Sequence, residues 1–236
     1  MDEKLLNRVG ERILARQPVK ICPDCGAGVY LQHETIEHRD TCPAWRTDRL
    51  DKIARFAGLP LHKRREFDNF KRVDGTAKAL AAAKLYCDPS QRKHHFLTLS
   101  GEPGRGKTHL AQAIAWHHLS ADLKYSTKYV QAERMLDGLR RCFDQPGVDF
   151  DRELNLLCKI ELLVLDDLGT ENSTPWTRSK LQEIIDERYE AGRLTVVTTN
   201  LRPSQMDARV MSRLSEGVWV LLEGEDYRQV LGAATR

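Results

Sequence analysis

The sequence lacks any long apolar run. None of its stretches approaches the roughly 20 consecutive apolar residues that a membrane-spanning helix needs. It also lacks a secretory signal at its start, where residues 1–6 read MDEKLL, with acids ahead of the first Lys and no extended apolar segment. These absences lead us to expect a cytoplasmic protein with no membrane contact.

The sequence has no internal repeat, no low-complexity tract and little net charge. Its 236 residues suit one full α/β domain and a small additional module. The net charge of +3 is unevenly distributed, since residues 43–72 hold nine Lys or Arg against four Asp or Glu. Such a basic connector either contacts phosphates or an acidic partner, or is a solvated linker, and the sequence leaves both interpretations open.

Residues 101–108, GEPGRGKT, have the spacing of a phosphate-binding P-loop. A strand-like run at residues 95–100 precedes them and a helix-like run at residues 108–116 follows. The glycines allow a tight turn whose N–H groups converge on phosphates, while Lys107 adds a positive charge and Thr108 a hydroxyl for Mg²⁺. We expect ATP to be bound by Gly101, Glu102, Pro103, Gly104, Arg105, Gly106, Lys107, Thr108 and His109.

Two further strand-like segments end in polar residues. The apolar run at residues 162–165 leads into Asp166 and Asp167, and residues 194–199 lead into Asn200. Because ligands bind at the carboxyl ends of parallel strands, Asp166 is expected to hold Mg²⁺ and Asp167 to polarise the attacking water. Asn200 is expected to contact the γ-phosphate or to orient that water.

The cysteines near the start follow a metal-ligand spacing. Cys22, Cys25, His38 and Cys42 form the pattern C-x2-C-x12-H-x3-C, which suits tetrahedral Zn²⁺. His33 is a competing imidazole. Structural disulfides are disfavoured in the cytosol, and a module of this size has too little core to fold without a metal. The sequence therefore predicts a zinc site.

These features predict three regions. Residues 1–45 would form an amphipathic helix and the zinc module, which binds a partner. Residues 46–69 would form a basic helical linker, and residues 70–236 an ATPase domain.

Several motifs together resemble a known family. GEPGRGKTHLAQAIA, LLVLDDLG, VVTTNL and RVMSRL at residues 209–214, with REFDNF at residues 65–70, are similar to the AAA+ ATPases of the DnaC/DnaI helicase-loader and IstB type. The resemblance covers about residues 65–230. It implies an α/β fold, in which a parallel sheet lies between helices and the helical lid is largely absent. A zinc module ahead of the ATPase domain is similar to the DnaI-like loaders.

The resemblance also implies roles for single residues. Lys107 matches the Walker A lysine and Asp166 the Walker B aspartate. Asp167 stands where the water-activating glutamate is common, and Asn200 matches sensor 1.

Three arginines are carried over in the same way. Arg213 resembles the arginine finger that reaches the nucleotide of a neighbouring subunit, with Arg209 as the second candidate, and Arg228 resembles sensor 2. The alternative for each is an ordinary surface salt bridge.

The family binds single-stranded DNA through its ATPase ring. Here Arg140, Arg141, Phe143 and Trp176 are candidates for that contact, because bases stack on aromatic rings while arginines follow the phosphates. Phe143 and Trp176 are equally compatible with a core position.

The combined expectation is an ATP-dependent, homo-oligomeric loader of a replicative hexameric DNA helicase onto single-stranded DNA, with weak ATPase activity. The main alternative is an IstB-like helper of a DNA transposase. A small-molecule kinase is disfavoured by the paired carboxylates and the SRL arginine. A fourth interpretation is a zinc-dependent adaptor with little ATP turnover.

Overall fold

The computed structural model describes residues 20–21, 28–29, 42–142, 149–169, 174–224 and 226–227, and the chain divides into two compact units, residues 1–52 and 53–236. In the first unit, strand β1 (Lys20–Ile21) pairs antiparallel with strand β2 (Gly28–Val29). Helix α1 (Pro43–Ala57) begins in this unit and ends in the second.

The second unit alternates strands and helices. The strands are β3 (Phe96–Ser100), β4 (Thr127–Gln131), β5 (Leu162–Leu168), β6 (Leu194–Thr199) and β7 (Val218–Leu221). The helices are α2 (Ala77–Cys87), α3 (Lys107–Asp122), α4 (Ala132–Arg141), α5 (Phe150–Lys159), α6 (Pro175–Glu190) and α7 (Ala208–Ser215), with a short 3-10 helix at Pro203–Gln205.

The five strands form one parallel sheet in the order β4-β5-β6-β3-β7. Strands β3 and β6 are buried along their whole length, as expected of central strands covered by helices on both faces. This arrangement confirms the predicted α/β class. The candidate residues that follow β3, β5 and β6 all lie at the carboxyl edge of this sheet.

Helices cover both faces of the sheet. Helices α2 and α3 pack on one face, and α4 to α7 on the other. The apolar core of the second face includes Leu163, Leu165 and Val197 from the strands, with Leu136 and Ile184 from the helices. Because successive strand residues point to opposite faces, the buried strands β5 and β6 supply side chains to both cores.

One charged side chain lies fully inside this fold. Arg188 of α6 is completely buried, and its guanidinium donates hydrogen bonds to the carbonyl oxygens of Leu157, Ile160 and Leu194. Burial lowers the pKa of Arg188 to about 10, so the side chain remains charged at neutral pH. It thereby joins the end of α5 to the start of β6.

Several element boundaries differ from the sequence-based expectation. The helix after the P-loop extends to Asp122, well beyond the expected residue 116. The second compact unit begins at residue 53, within the range 46–69 that is predicted as a linker. The expected helix at residues 1–17 lies outside the described residues. Within the described ranges, no helix has the length and apolar character needed to cross a membrane.

Candidate nucleotide-binding site

A cavity of about 670 Å³ opens at the carboxyl ends of β3, β5 and β6. Its lining brings together the P-loop from Pro103 to His109 with Asp166, Asp167 and Asn200. Gly101 and Glu102, also expected to bind the nucleotide, do not line the cavity. The cavity thus gathers polar groups from three separate motifs at one edge of the sheet.

The P-loop owes its shape to glycine at two crowded positions. Gly104 has φ 80° and Gly106 has φ 89°, in the left-handed region that side chains rarely adopt. A Cβ atom at Gly106 would lie 2.9 Å from the ring of Phe70. The left-handed turn at Gly106 leads directly into α3 at Lys107, so the N-terminus of that helix faces the cavity and favours an anion there.

Lys107 is held by the loop itself. Its ammonium group donates hydrogen bonds to the carbonyl oxygens of Gly101 (2.6 Å) and Glu102 (2.7 Å). The side chain is 7% exposed and lines the cavity. These bonds satisfy the buried positive charge and fix it beside the N–H groups of the loop.

Asp166 is the centre of a hydrogen-bond network at the end of β5. One carboxylate oxygen, Oδ1, accepts bonds from the hydroxyls of Thr108 (3.0 Å) and Thr198 (2.7 Å). The other, Oδ2, accepts a bond of 2.6 Å from the phenol of Tyr129. The carboxylate is 2% exposed, and its several donors compensate for the burial of its charge.

A β-bulge allows both carboxylates of β5 to face the cavity. Between Leu165 and Leu168 the register with β6 shifts, so that Asp166 and Asp167 together stand opposite Thr198. Asp167 has φ 59°, and its N–H donates to the Thr198 hydroxyl at 2.8 Å. In a regular strand, neighbouring side chains would point to opposite faces.

Asn200 lies beside the second carboxylate. Its Nδ2 donates to Asp167 Oδ1 at 3.1 Å, and both side chains line the cavity. The two residues expected to orient water are therefore in direct contact.

Three polar residues of the site were missed by the sequence analysis. Thr198 and Tyr129 bind Asp166 directly, and Gln112 of α3 hydrogen-bonds to the phenol of Tyr129. Burial raises the pKa of the Tyr129 phenol, and the negative charge of Asp166 raises it further. The phenol therefore stays protonated and donates a hydrogen bond to Asp166. In the sequence, Thr198, Tyr129 and Gln112 are marked only as polar residues on a strand or helix of the ATPase domain.

The segment before α2 closes one side of the cavity. The backbone carbonyl of Glu66 lies 2.9 Å from Nε2 of His109, and the Phe70 ring meets the His109 ring edge-on at 5.1 Å. Burial lowers the pKa of His109. His109 thus connects the REFDNF segment to the P-loop helix, and Arg65 and Phe70 both line the cavity.

The segment after β7 reaches the P-loop from the other side. The N–H of Tyr227 donates to the Gly104 carbonyl oxygen at 3.0 Å. A Cβ atom at Gly104 would lie 2.0 Å from the carboxylate of Asp226, so this side chain lies directly against the loop. Arg228, the sensor 2 candidate, lies outside the described residues.

Arg213, the arginine-finger candidate, is bound to its own chain. Its guanidinium contacts Asp186 (2.9 Å) and Glu190 (3.5 Å) of α6 and stacks over the Tyr189 ring at 4.4 Å. Its side chain is still 32% exposed. Arg209, one turn earlier on α7, is exposed.

The DNA-contact candidates fall partly within the described residues. The Arg140 guanidinium lies 5.4 Å from the centre of the Trp176 ring, which is half-buried against the core. Arg141 donates to the backbone carbonyl of Asp137. Phe143 lies outside the described residues.

The zinc candidates are mostly outside the described part of the chain. The residues outside it are Cys22, Cys25, His38 and the competing His33. Within the described ranges, no three His, Cys, Asp or Glu side chains cluster as a metal site would require. Cys42 is described. It is buried, and its Sγ accepts a hydrogen bond from the Trp45 N–H at 3.4 Å.

Several known proteins are similar to this chain in sequence or in fold. The sequence model of the IstB-like ATP binding proteins matches residues 32–212. The replicative helicase loader DnaC of Escherichia coli strain K12 is 28% identical over 176 residues, covering 72% of this chain and 71% of that protein. The putative ATP-binding protein of insertion sequence IS1162 from Pseudomonas fluorescens is 33% identical over 162 residues, 68% of each chain.

Among solved structures, the crystal structure of the DnaC helicase loader superposes with a TM-score of 0.58 at 25% identity, over 67% of this chain and 97% of that one. On this evidence the chain belongs to the family of IstB-like ATP binding proteins, with the parallel α/β fold of AAA+ P-loop ATPases.

Proposed function

We propose that this chain is an ATPase that loads a replicative DNA helicase onto single-stranded DNA. The observation that carries the proposal is the cavity in which the P-loop meets Asp166, Asp167 and Asn200. A phosphate-binding loop alone suits many reactions, but the addition of two carboxylates and an amide suits phosphoryl transfer to water.

The residues of the site divide the proposed reaction among them. The P-loop N–H groups and Lys107 would bind the β- and γ-phosphates, and Thr108 and Asp166 would hold Mg²⁺, which supplies charge neutralisation for the phosphates. The hydrogen bond between Asn200 and Asp167 orients the carboxylate that would accept a proton from the attacking water.

The loader assignment rests on the relatives. A protein named as a replicative helicase loader matches 72% of this chain, and the fold of the DnaC loader matches the ATPase unit. We propose that residues 1–45 bind the helicase, while the ATPase domain, residues 70–236, forms a homo-oligomer and holds single-stranded DNA.

Light scattering on a sizing column tests the partner. The full-length chain would be mixed with the replicative helicase of its source, with and without ATP. We expect a stable complex whose mass equals a helicase hexamer with bound copies of this chain. If the two proteins elute separately under every nucleotide condition, the loader assignment is wrong.

The insertion-sequence relative supports a second candidate, a helper of a DNA transposase. The two functions differ in the preferred nucleic acid, because a loader acts on single strands and a transposition helper on duplex target DNA. Fluorescence anisotropy with matched single-stranded and duplex oligonucleotides separates them. Stronger binding to duplex would favour the transposase helper.

We propose that Arg140 and Trp176 form part of the DNA contact. Their cation–π pair presents a positive charge beside an aromatic face, the combination that single strands require. Trp176→Ala and Arg140→Ala should each weaken oligonucleotide binding, whereas Ser179→Ala, at an exposed position of the same helix, should not. Unchanged affinity in both variants would remove this region from the DNA site.

We also propose that Cys22, Cys25, His38 and Cys42 bind Zn²⁺. Strands β1 and β2 flank Cys22 and Cys25 in the sequence, and the N–H bond to Cys42 Sγ suits a thiolate ligand. By contrast, burial raises the pKa of the Cys87 thiol to about 12, which makes it a poor ligand.

Elemental analysis tests the zinc site. One equivalent of zinc is expected, which Cys25→Ser and His38→Asn lose and Cys87→Ser and His33→Asn retain. A folded Cys25→Ser protein with a full equivalent of zinc would refute the proposed ligand set.

A further inference from the structure

Tyr129 occupies a position that the roles proposed so far leave unused. It lies on the edge strand β4, lines the cavity, and donates the 2.6 Å hydrogen bond to Asp166 Oδ2. Its backbone is held close to α1, since a Cβ atom at Gly58 would lie 2.6 Å from the Tyr129 carbonyl oxygen. The phenol is therefore presented to Asp166 from a fixed strand.

The bonds to Asp166 leave one acceptor direction open. Each carboxylate oxygen accepts about two hydrogen bonds. Oδ1 already accepts from Thr108 and Thr198, whereas Oδ2 accepts from Tyr129. By this count Oδ2 can accept one more hydrogen bond, and Asp166 lines the cavity in which the cation would be bound.

A second polar side chain supports the phenol. Gln112 is 3% exposed, lines the same cavity as Tyr129 and interacts with its phenol. Among the described residues, its Oε1 has no hydrogen-bond partner. A buried acceptor without a partner costs free energy, so its place in the cavity lining points to a donor that arrives with the ligand.

We infer that Tyr129, anchored by Gln112, is a positioning residue that orients the Asp166 carboxylate toward the divalent cation of the nucleotide complex. It does not touch the reacting atoms; it acts through Asp166. The inference rests on the proposed ATP site. It adds two residues, Tyr129 of β4 and Gln112 of α3, that would act on the cation through Asp166. Groups that orient a metal ligand in this way typically change metal affinity or activity by 10- to 100-fold.

The test compares two Tyr→Phe substitutions. Tyr129→Phe removes only the phenol oxygen, and Tyr125→Phe makes the same change at an exposed ring near the other end of β4. Mn²⁺ is titrated into each ADP complex and free Mn²⁺ is followed by electron paramagnetic resonance. We expect Tyr129→Phe to bind Mn²⁺ about 10-fold more weakly and Tyr125→Phe to match the unsubstituted protein.

Two further measurements separate orientation from damage to the fold. ADP affinity in EDTA should be the same in all variants, and the ATPase rate of Tyr129→Phe should recover when Mg²⁺ is raised. If Tyr129→Phe does not fold, Gln112→Leu, which removes the anchor and keeps the phenol, must show the weaker Mn²⁺ binding.

The outcomes distinguish the two proposals. Mn²⁺ affinity within twofold of the unsubstituted protein, in a folded Tyr129→Phe protein that hydrolyses ATP, overturns the positioning role alone. An unsubstituted protein that binds no ADP overturns the proposed ATPase, and the positioning role with it.

Discussion

At the scale of single residues, the site depends on hydroxyl groups that serve two partners. The Thr198 hydroxyl accepts the Asp167 N–H and donates to the Asp166 carboxylate. One small side chain thus stabilises the bulge and orients the acid that would hold the metal. A hydroxyl suits this position because it is both a donor and an acceptor.

Thr198→Val tests this dual role. Valine has nearly the same shape but leaves the Asp167 N–H without its acceptor and Asp166 without a donor. We expect kcat for ATP to fall by about 10- to 100-fold and the free energy of unfolding to fall by about 1–3 kcal/mol. Steady-state kinetics and urea denaturation measure these quantities.

Thr198→Ser is the matched control, because it keeps the hydroxyl and should retain most of the activity. A Thr198→Val protein with kcat equal to that of the unsubstituted chain would show that the hydroxyl does not orient Asp166 for catalysis.

At the scale of secondary-structure elements, the regular strands and the tight turn of the P-loop could be predicted from the sequence. The apolar run at residues 162–165 and the strand-like segment at residues 194–199 correspond to β5 and β6, and the glycines of residues 101–106 correspond to the turn before α3. The bulge at Asp166 and Asp167 was not predictable, because it arises from the register of β5 against β6, which the periodicity of one strand does not contain.

The contribution of β4 to the site was unpredictable for a related reason. Tyr129 meets Asp166 because of the register of β4 against β5, which places Gln131 opposite Asp166 and Tyr129 two residues earlier on the same strand. The tyrosine alone reads as an ordinary half-buried strand residue.

Helix α7 carries the proposed arginine finger, Arg213. In the single chain its guanidinium is paired with Asp186 and Glu190, so contact with a neighbouring nucleotide requires it to leave these carboxylates. Ion pairs that water can reach contribute little to stability, so these contacts oppose such a change only weakly.

A subunit-mixing experiment tests whether Arg213 acts between subunits. Lys107→Ala protomers keep the arginine and Arg213→Ala protomers keep the P-loop, so each alone should be nearly inactive. An equal mixture should regain roughly a quarter of the normal ATPase activity, because about one interface in four then combines an intact loop with an intact arginine.

A mixture whose ATPase activity does not exceed that of the Lys107→Ala and Arg213→Ala proteins alone would contradict the role of Arg213. If Arg209→Ala protomers complemented Lys107→Ala while Arg213→Ala protomers kept full activity alone, the finger would be Arg209.

At the scale of the whole molecule, stability should depend on pH through a half-buried imidazole. His118 lies on α3, and its Nδ1 is 2.9 Å from the hydroxyl of Thr127 at the start of β4. Burial lowers the pKa of His118 below the usual 6.5. The neighbouring Glu161 opposes this shift without cancelling it. In the unfolded chain the same side chain takes up a proton at higher pH.

Unfolding is therefore favoured as the pH falls below about 6.5. Between pH 7.5 and pH 5.5, this histidine should cost at most about 1.4 kcal/mol of unfolding free energy. Urea denaturation at the two pH values measures the loss. His118→Gln should reduce it, whereas the exposed His62→Gln should not. An equal loss in all three proteins would assign the pH dependence to other groups.

In the proposed function, ATP bound at the P-loop drives delivery of a helicase onto DNA. The most direct measurement is loading of the source's hexameric helicase onto a closed, protein-coated single-stranded circle, read as unwinding of an annealed fluorescent strand. The account predicts unwinding with the unsubstituted chain and ATP, and none above the helicase-only background with Lys107→Ala. Equal unwinding with both proteins, or none with either, would contradict it.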